Sequence, residues 1–110
     1  MKFDVERRTH RRYDLSGPFD LLGGNGAPAH ARLLNLSDGG AFVSLPIGSL
    51  PSCGKRFDVR FIVPRATANT RMVEEFSCRA TVVRHQPLFD DNFGGVGLQF
   101  AQPLQLAIEV

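Results

Sequence analysis

A short polar segment at residues 35–40, with the sequence NLSDGG, lies between two apolar runs and carries side chains that could bind a ligand. The Asp-Gly pair within it is a strong turn signal, because aspartate tolerates a left-handed backbone and glycine adopts one without steric cost. Asn35 and Ser37 therefore fall at the end of a strand, where residues two apart project to the same face. We expect an amide and a hydroxyl side by side at this corner. Gly40 adds no side chain, so a flat ligand could approach the backbone there closely.

A second feature that could do chemistry is a basic arm at the start of the chain. Four of the eleven arginines lie there, at Arg7, Arg8, Arg11 and Arg12, whereas the whole chain has two lysines. Arginine matters where planar groups are recognised, because a guanidinium forks onto phosphate or guanine and stacks on flat rings. Each feature alone has an ordinary explanation, as turn chemistry or as a solvated, polyanion-binding tail. Together, the arm and the corner favour a ligand site.

Composition bounds the kind of protein that carries these features. The chain has 110 residues, enough for one domain with a single core, and its 43% hydrophobic and 22% charged residues are typical of a soluble globular protein. A net charge of +2 argues against a broadly basic nucleic-acid coat. No apolar run approaches the length needed to cross a bilayer. Cys53 and Cys78 lack Cys-x-x-Cys spacing and no signal peptide precedes them, so we expect free thiols and a cytoplasmic location.

The sequence contains no constellation typical of catalysis. Its three histidines lack metal-ligand spacing with cysteine or carboxylate, and neither cysteine has a nearby base that would mark a nucleophile. The acidic pairs at residues 74–75 and 90–91 are adjacent in sequence, so their side chains point apart and do not form a general acid/base pair. We therefore expect a protein that is not an enzyme and that needs neither metal nor cofactor.

The elements that must position the corner are short antiparallel strands. Glycine and proline punctuate the chain, and the runs between them alternate apolar and polar residues, which indicates half-buried strands rather than helices. Such faces are buried most simply by a closed or nearly closed barrel over residues 13–110, with residues 1–12 as a mobile arm. The predicted strands are 13–22, interrupted at Gly17 and Pro18, 29–36, 40–45, 56–63, ended by Pro64, 75–85 and 95–101. Residues 65–71 are predicted to form a polar connection, and residues 103–110 leave room for a turn or two of helix at most.

The sequence resembles the PilZ domain family, bacterial receptor modules for cyclic di-GMP. The resemblance rests on an Arg-x-x-x-Arg motif at residues 8–12, an Asn-x-Ser-x-x-Gly motif at residues 35–40, and the segment GVGLQF at residues 95–100, which is similar to the last barrel strand of the family. It implies a six-stranded split β-barrel. The chain departs from the family in having little room for the C-terminal helix that PilZ domains commonly carry.

The resemblance also implies a ligand and a site. Arg7 and Arg11 fit the arginine spacing as well as Arg8 and Arg12 do, and we prefer the second pair because Arg12 abuts the first strand. The ligand would be cyclic di-GMP, whose phosphates and guanine edges match the arginine fork. The implied ligand-binding residues are Arg7, Arg8, Arg11, Arg12, Asn35, Ser37 and Gly40.

Three functions follow from these features, in order of preference. The first is a cyclic di-GMP receptor without catalysis, whose arm becomes ordered on binding and presents a new surface to an effector protein. The second is a PilZ-like adaptor that works through protein contacts and binds no nucleotide. The third is a small barrel that binds single-stranded nucleic acid, which ranks last because the aromatic residues mostly alternate inward and the charge is confined to the arm. We expect neither a nucleic-acid polymer nor a membrane among the partners.

Overall fold

The computed structural model describes residues 12–23, 28–66 and 71–106, with the backbone alone for residues 12, 65, 66 and 71. This part of the chain is built from seven strands and one turn of 3₁₀ helix, Ile47–Ser49, and holds no α-helix. Within it, no helix has the length and hydropathy needed to span a bilayer. The strands are β1 (Arg12–Tyr13), β2 (Gly17–Leu22), β3 (Ala29–Ser37), β4 (Gly40–Pro46), β5 (Arg56–Ala66), β6 (Arg71–Pro87) and β7 (Phe93–Phe100).

The strands close into an antiparallel barrel because β4 pairs with two neighbours. One sheet runs in the order β1-β3-β2-β5-β6-β7-β4, and β4 returns to pair with β3 as well. Strands β2 to β7 therefore form a closed barrel of six strands, and the two residues of β1 add to β3. Closure leaves few of the unpaired edges that would invite aggregation. The predicted all-β barrel is confirmed.

Several predicted strand limits are wrong: β6 begins at Arg71 rather than at residue 75, and β7 begins at Phe93 rather than at residue 95. The first predicted strand is interrupted at residues 14–16, where the Leu15 N–H donates to the Tyr13 carbonyl in a tight bend, so Gly17 and Pro18 lie inside β2. Pro64 does not end β5, which pairs with β6 as far as Ala66, so residues 65, 66 and 71 of the predicted connection belong to strands and residues 67–70 lie outside the described residues. Proline is tolerated there because the pairing of β5 with β2 stops at Phe61, so β5 is an edge strand beyond that residue.

The core is formed by the inward residues of all six barrel strands, as the alternation predicts. Phe61 lies at its centre and stacks on Phe19, Phe76 and Phe100, with ring centroids 5.1, 5.5 and 5.8 Å apart respectively. Burial of each large apolar side chain contributes roughly 1.5–3 kcal/mol. Beyond β7 the chain is not helical over residues 101–106, and Leu106 is fully buried. Residues 107–110, also part of the predicted short helix, lie outside the described residues.

A row of charged side chains crosses the outer face of the barrel. Asp20 on β2 accepts a hydrogen bond from the His30 ring at 2.8 Å and faces the Arg60 guanidinium at 3.5 Å, and Arg60 also lies 3.9 Å from Glu75. The bond to His30 and the nearby Arg60 lower the pKa of Asp20, although partial burial opposes them. The ionised form of Asp20 is therefore stabilised in the folded state.

We expect Asp20→Asn to lower the free energy of unfolding at neutral pH by less than about 1 kcal/mol, because these charges lie near the surface. The contribution is complete above the unfolded-state pKa of 3.8 and is lost as the pH falls through the lower folded-state value. Urea unfolding at neutral pH and at about pH 2 measures it. Asp58→Asn, which breaks an exposed pair with Arg79, is the control. A deficit for Asp20→Asn that is equal at the two pH values would contradict this assignment.

Candidate functional site

The polar corner is a tight hairpin turn between β3 and β4. Ser37 at the end of β3 pairs with Gly40 at the start of β4, and the two residues between them form the turn. The Ser37 hydroxyl donates to the Gly40 carbonyl and accepts from the Gly39 N–H, both at 3.3 Å. A hydroxyl has two acceptor lone pairs, so Ser37 can still accept one hydrogen bond from outside the turn. Ser37 is thus both a turn residue and a candidate ligand contact.

A β-bulge directs Asn35 to the outer face. The register of β3 against β4 shifts between Leu33 and Asn35, so Leu34 is the extra residue and Asn35 pairs with Phe42. Leu33 and Leu36 are both buried, whereas Asn35 and Ser37 are partly exposed on the opposite side. The Asn35 amide makes no hydrogen bond to any residue in the described ranges, so its donor and acceptor are available to a ligand.

The basic arm enters the barrel beside this corner. In β1, Arg12 pairs with Ser37 and Tyr13 with Leu36, so the backbone of Arg12 runs alongside the end of β3. Residue 12, the last of the predicted arm, is therefore already part of the sheet. Arg7, Arg8 and Arg11 lie outside the described residues. Of the predicted site positions, the structure brings Arg12, Asn35 and Ser37 close together. Gly40 completes the turn beside them.

Gly40 is required by the packing of the sheet. A Cβ at this position would lie 2.1 Å from the Leu98 carbonyl oxygen of β7, a distance that no side chain could tolerate. Packing therefore gives this glycine a structural role, beside the approach of a ligand that the sequence predicts. Since Gly40 pairs with both Ser37 and Gln99, any larger residue would disturb the corner and the β4–β7 ladder together.

The chain after β7 tethers the corner from the other side. The Leu104 N–H donates to the Asp38 carbonyl at 2.7 Å, and the Leu106 N–H donates to the Asp38 carboxylate at 3.3 Å. The Phe100 N–H also donates to the Gly39 carbonyl at 2.9 Å. Sequence reasoning missed this tether, although Leu104 and Leu106 at alternate positions were a signal for an extended segment with one apolar face.

Comparison with known protein families identifies the family of this chain. The model of the PilZ domain family matches residues 6–109, which include the four arginines of the arm, the corner and the last strand. The chain belongs to the PilZ domain family. No curated protein sequence matches this PilZ domain closely enough to count as a relative.

Two solved structures share the fold of this PilZ domain. One is the Bacillus subtilis inhibitor of motility (MotI/DgrA), with a TM-score of 0.70 and 18% identity over 88% of this chain and 44% of that one. The other is the PilZ domain with c-di-GMP of YcgR from Escherichia coli, with a TM-score of 0.60 and 16% identity over 86% of this chain and 78% of that one. This PilZ domain thus spans less than half of the inhibitor of motility chain. At these identities the likeness shows the fold.

Two open grooves lie beside the turn between β6 and β7, and one of them extends to Leu34, next to Asn35 in the chain. Their volumes are about 400 and 510 Å³, and both are lined by Leu88, Asp90 and Phe93. Neither is lined by Asn35 or Ser37. The walls of both grooves are mostly apolar, so the grooves are less suited than the corner to an anionic ligand.

Other reactive side chains do not gather into a site in the part of the chain that the structure describes. There, no group of three or more histidine, cysteine or acidic residues could hold a metal ion. Cys53 and Cys78 are both free thiols. Burial raises the pKa of the Cys78 thiol, which disfavours the reactive thiolate at neutral pH.

We expect Leu106→Ala to lower the free energy of unfolding by about 2–5 kcal/mol, because it empties a fully buried position. It should also speed hydrogen exchange at the Leu104 and Leu106 amides, since the segment loses the side chain that holds it against the barrel. Denaturant unfolding and amide exchange measure both effects. Leu104→Ala, at a partly buried position, should cost less. Unfolding of the Leu106 variant within about 0.5 kcal/mol of the parent would contradict the tether.

Proposed function

We propose that this PilZ domain is a cyclic di-GMP receptor and that the ligand binds on the outer face of the barrel at the β3–β4 corner. The observation that carries the proposal is the pairing of Arg12 with Ser37, because it delivers the end of a four-arginine arm to the strand that displays the Asn35 amide. The arm would supply positive charge and the corner would supply hydrogen-bonding groups to the same ligand.

The chemistry of the corner suits this ligand. Cyclic di-GMP carries two phosphates and two guanine bases, whose O6 and N7 atoms are paired acceptors that a guanidinium can bind with two parallel bonds. The Asn35 amide both donates and accepts, which fits a guanine edge, and the Ser37 hydroxyl retains one acceptor. Phosphate contacts would come from the arm, with Arg8 and Arg12 as the principal pair and Arg7 and Arg11 as auxiliary contacts.

Family membership supports the same ligand and a role without catalysis. The YcgR domain that shares this fold is described with c-di-GMP, and the inhibitor of motility that shares it is named for a regulatory role. We assign the receptor to the cytoplasm, where thiols such as Cys53 remain reduced. The partner that reads the signal would be a protein rather than a membrane or a nucleic-acid polymer. A PilZ-like adaptor that binds no nucleotide is the alternative.

Calorimetric titration of the whole chain with cyclic di-GMP should give saturable binding at micromolar concentrations or below, with no heat for GTP or cyclic di-AMP. Arg8→Ala and Arg12→Ala should each weaken binding about tenfold or more, because each removes charge-assisted hydrogen bonds worth roughly 1.5–3 kcal/mol. Ser37→Ala should cost less, since the hydroxyl already serves the turn.

The controls separate the competing assignments. Arg79→Ala removes an arginine on the outer face of β6 that pairs with Asp58, and should bind as the parent does. Arg7→Ala and Arg11→Ala test whether the other pair with the same spacing dominates. No heat with the parent well above micromolar concentration would favour the adaptor, and tight binding of a single-stranded oligonucleotide would favour the nucleic-acid barrel. Parent-like binding by all four arginine variants would place the site elsewhere.

We also propose that binding orders the arm. Residues 1–12 contain few apolar side chains, and fixing the backbone costs about 1–2 kcal/mol per residue, so contacts with an anionic ligand would have to offset that cost. Closure of the arm over the ligand would present a new surface to an effector protein while the barrel changes little, which is an order–disorder switch.

Backbone NMR relaxation of the free and saturated protein tests the switch. Residues 1–11 should show fast internal motion without ligand and rigid-backbone order parameters at saturation, whereas residues of β5 should show little change and serve as the internal control. An arm that is rigid without ligand, or that remains mobile at saturation, would exclude this mechanism even if binding is found.

A further inference from the structure

The outer face that displays Asn35 continues across three more strands. Asn35 pairs with Phe42 on β4, Phe42 pairs with Gly97 on β7, and Gly97 pairs with Arg84 on β6. Directly paired residues of antiparallel strands share a face, and neighbouring strands lie about 5 Å apart. Beside the corner there is thus a row of four residues that ends in an arginine, and none of the predicted site residues beyond Asn35 belongs to it.

Arg84 does not extend away from the barrel but lies back along this row. Its guanidinium carbon is 5.0 Å from the centre of the Phe42 ring. A Cβ on Gly97 would meet the Arg84 side chain at 2.7 Å, and a Cβ on Gly95 would meet the Phe42 ring at 2.3 Å. Two glycines at outward positions of β7 therefore leave the space in which both side chains lie against the sheet.

The guanidinium is held in place by neutral groups. The Arg84 Nη1 donates to the Gln86 side-chain oxygen at 2.6 Å, and the Phe42 ring lies beneath the charge. No carboxylate in the described residues pairs with Arg84. Phe42 is only 8% exposed, whereas Arg84 is exposed. The planar guanidinium is thus fixed against the Phe42 ring. Its remaining N–H donors and its charge are available to a ligand.

We infer that Arg84, supported by Phe42, is a stacking platform for one guanine base of the ligand, a contact that rests on the proposed cyclic di-GMP site. A guanidinium plane stacks on a nucleobase, and the aromatic ring beneath it keeps the plane from turning. The guanidinium lies over Phe42, which is the direct neighbour of Asn35. A single dinucleotide could therefore contact both the corner and Arg84. A ligand held at the corner through its phosphates therefore extends one base over Arg84.

A purely structural role for Arg84 would be to shield Phe42 from water. The two roles differ in what they require of the side chain. Shielding needs only a long flexible stem, which methionine supplies, whereas charge alone is supplied by lysine. Stacking on a base needs the guanidinium plane, which neither replacement provides.

Calorimetric titration of the full chain with cyclic di-GMP, using the parent, Arg84→Met, Arg84→Lys and Arg79→Met, tests the platform. Arg84→Met should weaken binding about tenfold or more, the size expected for loss of one stacked base. Arg84→Lys should recover little of it. Arg79→Met, on the outer face of the same strand, should bind as the parent does, and thermal unfolding should be nearly equal for all four proteins.

A second readout follows the side chain itself. The NMR signal of the Arg84 Nε–H group should shift on addition of cyclic di-GMP to the parent, because the ring current of a stacked base acts on it. Parent-like affinity of Arg84→Met, full recovery by Arg84→Lys, or an unshifted Arg84 signal at saturation would each overturn the platform while leaving the receptor intact. Absence of heat with the parent would instead overturn the receptor, and the platform with it.

Discussion

Closure of the barrel through β4 is the constraint on which the rest of the structure depends. Because β4 pairs with β3 on one side and with β7 on the other, it brings residues that are far apart in sequence into one continuous outer face. The same closure requires Gly40, since any Cβ there would collide with the Leu98 carbonyl. A residue that the family motif contains is thus demanded first by the geometry of the sheet, and the polar corner is a consequence of a barrel that closes at that point.

The inward and outward residues of the barrel have different roles. Inward residues form a core around the stacked rings of Phe61 and its neighbours, which fixes the register of every strand. Outward residues take no part in this core, and one bulge at Leu34 is enough to display Asn35 while Leu33 and Leu36 remain buried. The segment after β7 secures the turn from behind through Asp38. The corner is therefore held both by its own strands and by the segment that follows β7.

Much of the fold could be predicted from the sequence, because alternation reports burial directly. Val59, Val63, Val96 and Leu98 are buried as their spacing indicates, and the Asp-Gly signal locates the β3–β4 turn correctly. Strand limits were less predictable: Pro64 does not end β5, because the loss of a donor matters little on an edge strand.

The contacts around the candidate site could not be predicted, because they depend on register between distant strands. The bond from Leu106 to Asp38 spans 68 residues, and the approach of Arg84 to Phe42 requires both the β4–β7 pairing and a shift in the β6–β7 register. The glycines of β7 were a partial signal, since a glycine inside a strand often marks a close approach of another group. What they pack against is visible only once the barrel is closed.

Mapping of backbone amide shifts during titration with cyclic di-GMP tests the central claim most directly, since it locates the ligand without any substitution. The account predicts that the large shifts fall on residues 35–42 and on the outward positions of β6 and β7 beside them. Residues that line the grooves near Phe93 on the side away from the corner, such as Ile47, Pro46 and Asp91, should change little. Shifts concentrated at those grooves, with residues 35–42 unchanged at saturation, would contradict the assignment of the ligand site to the β3–β4 corner.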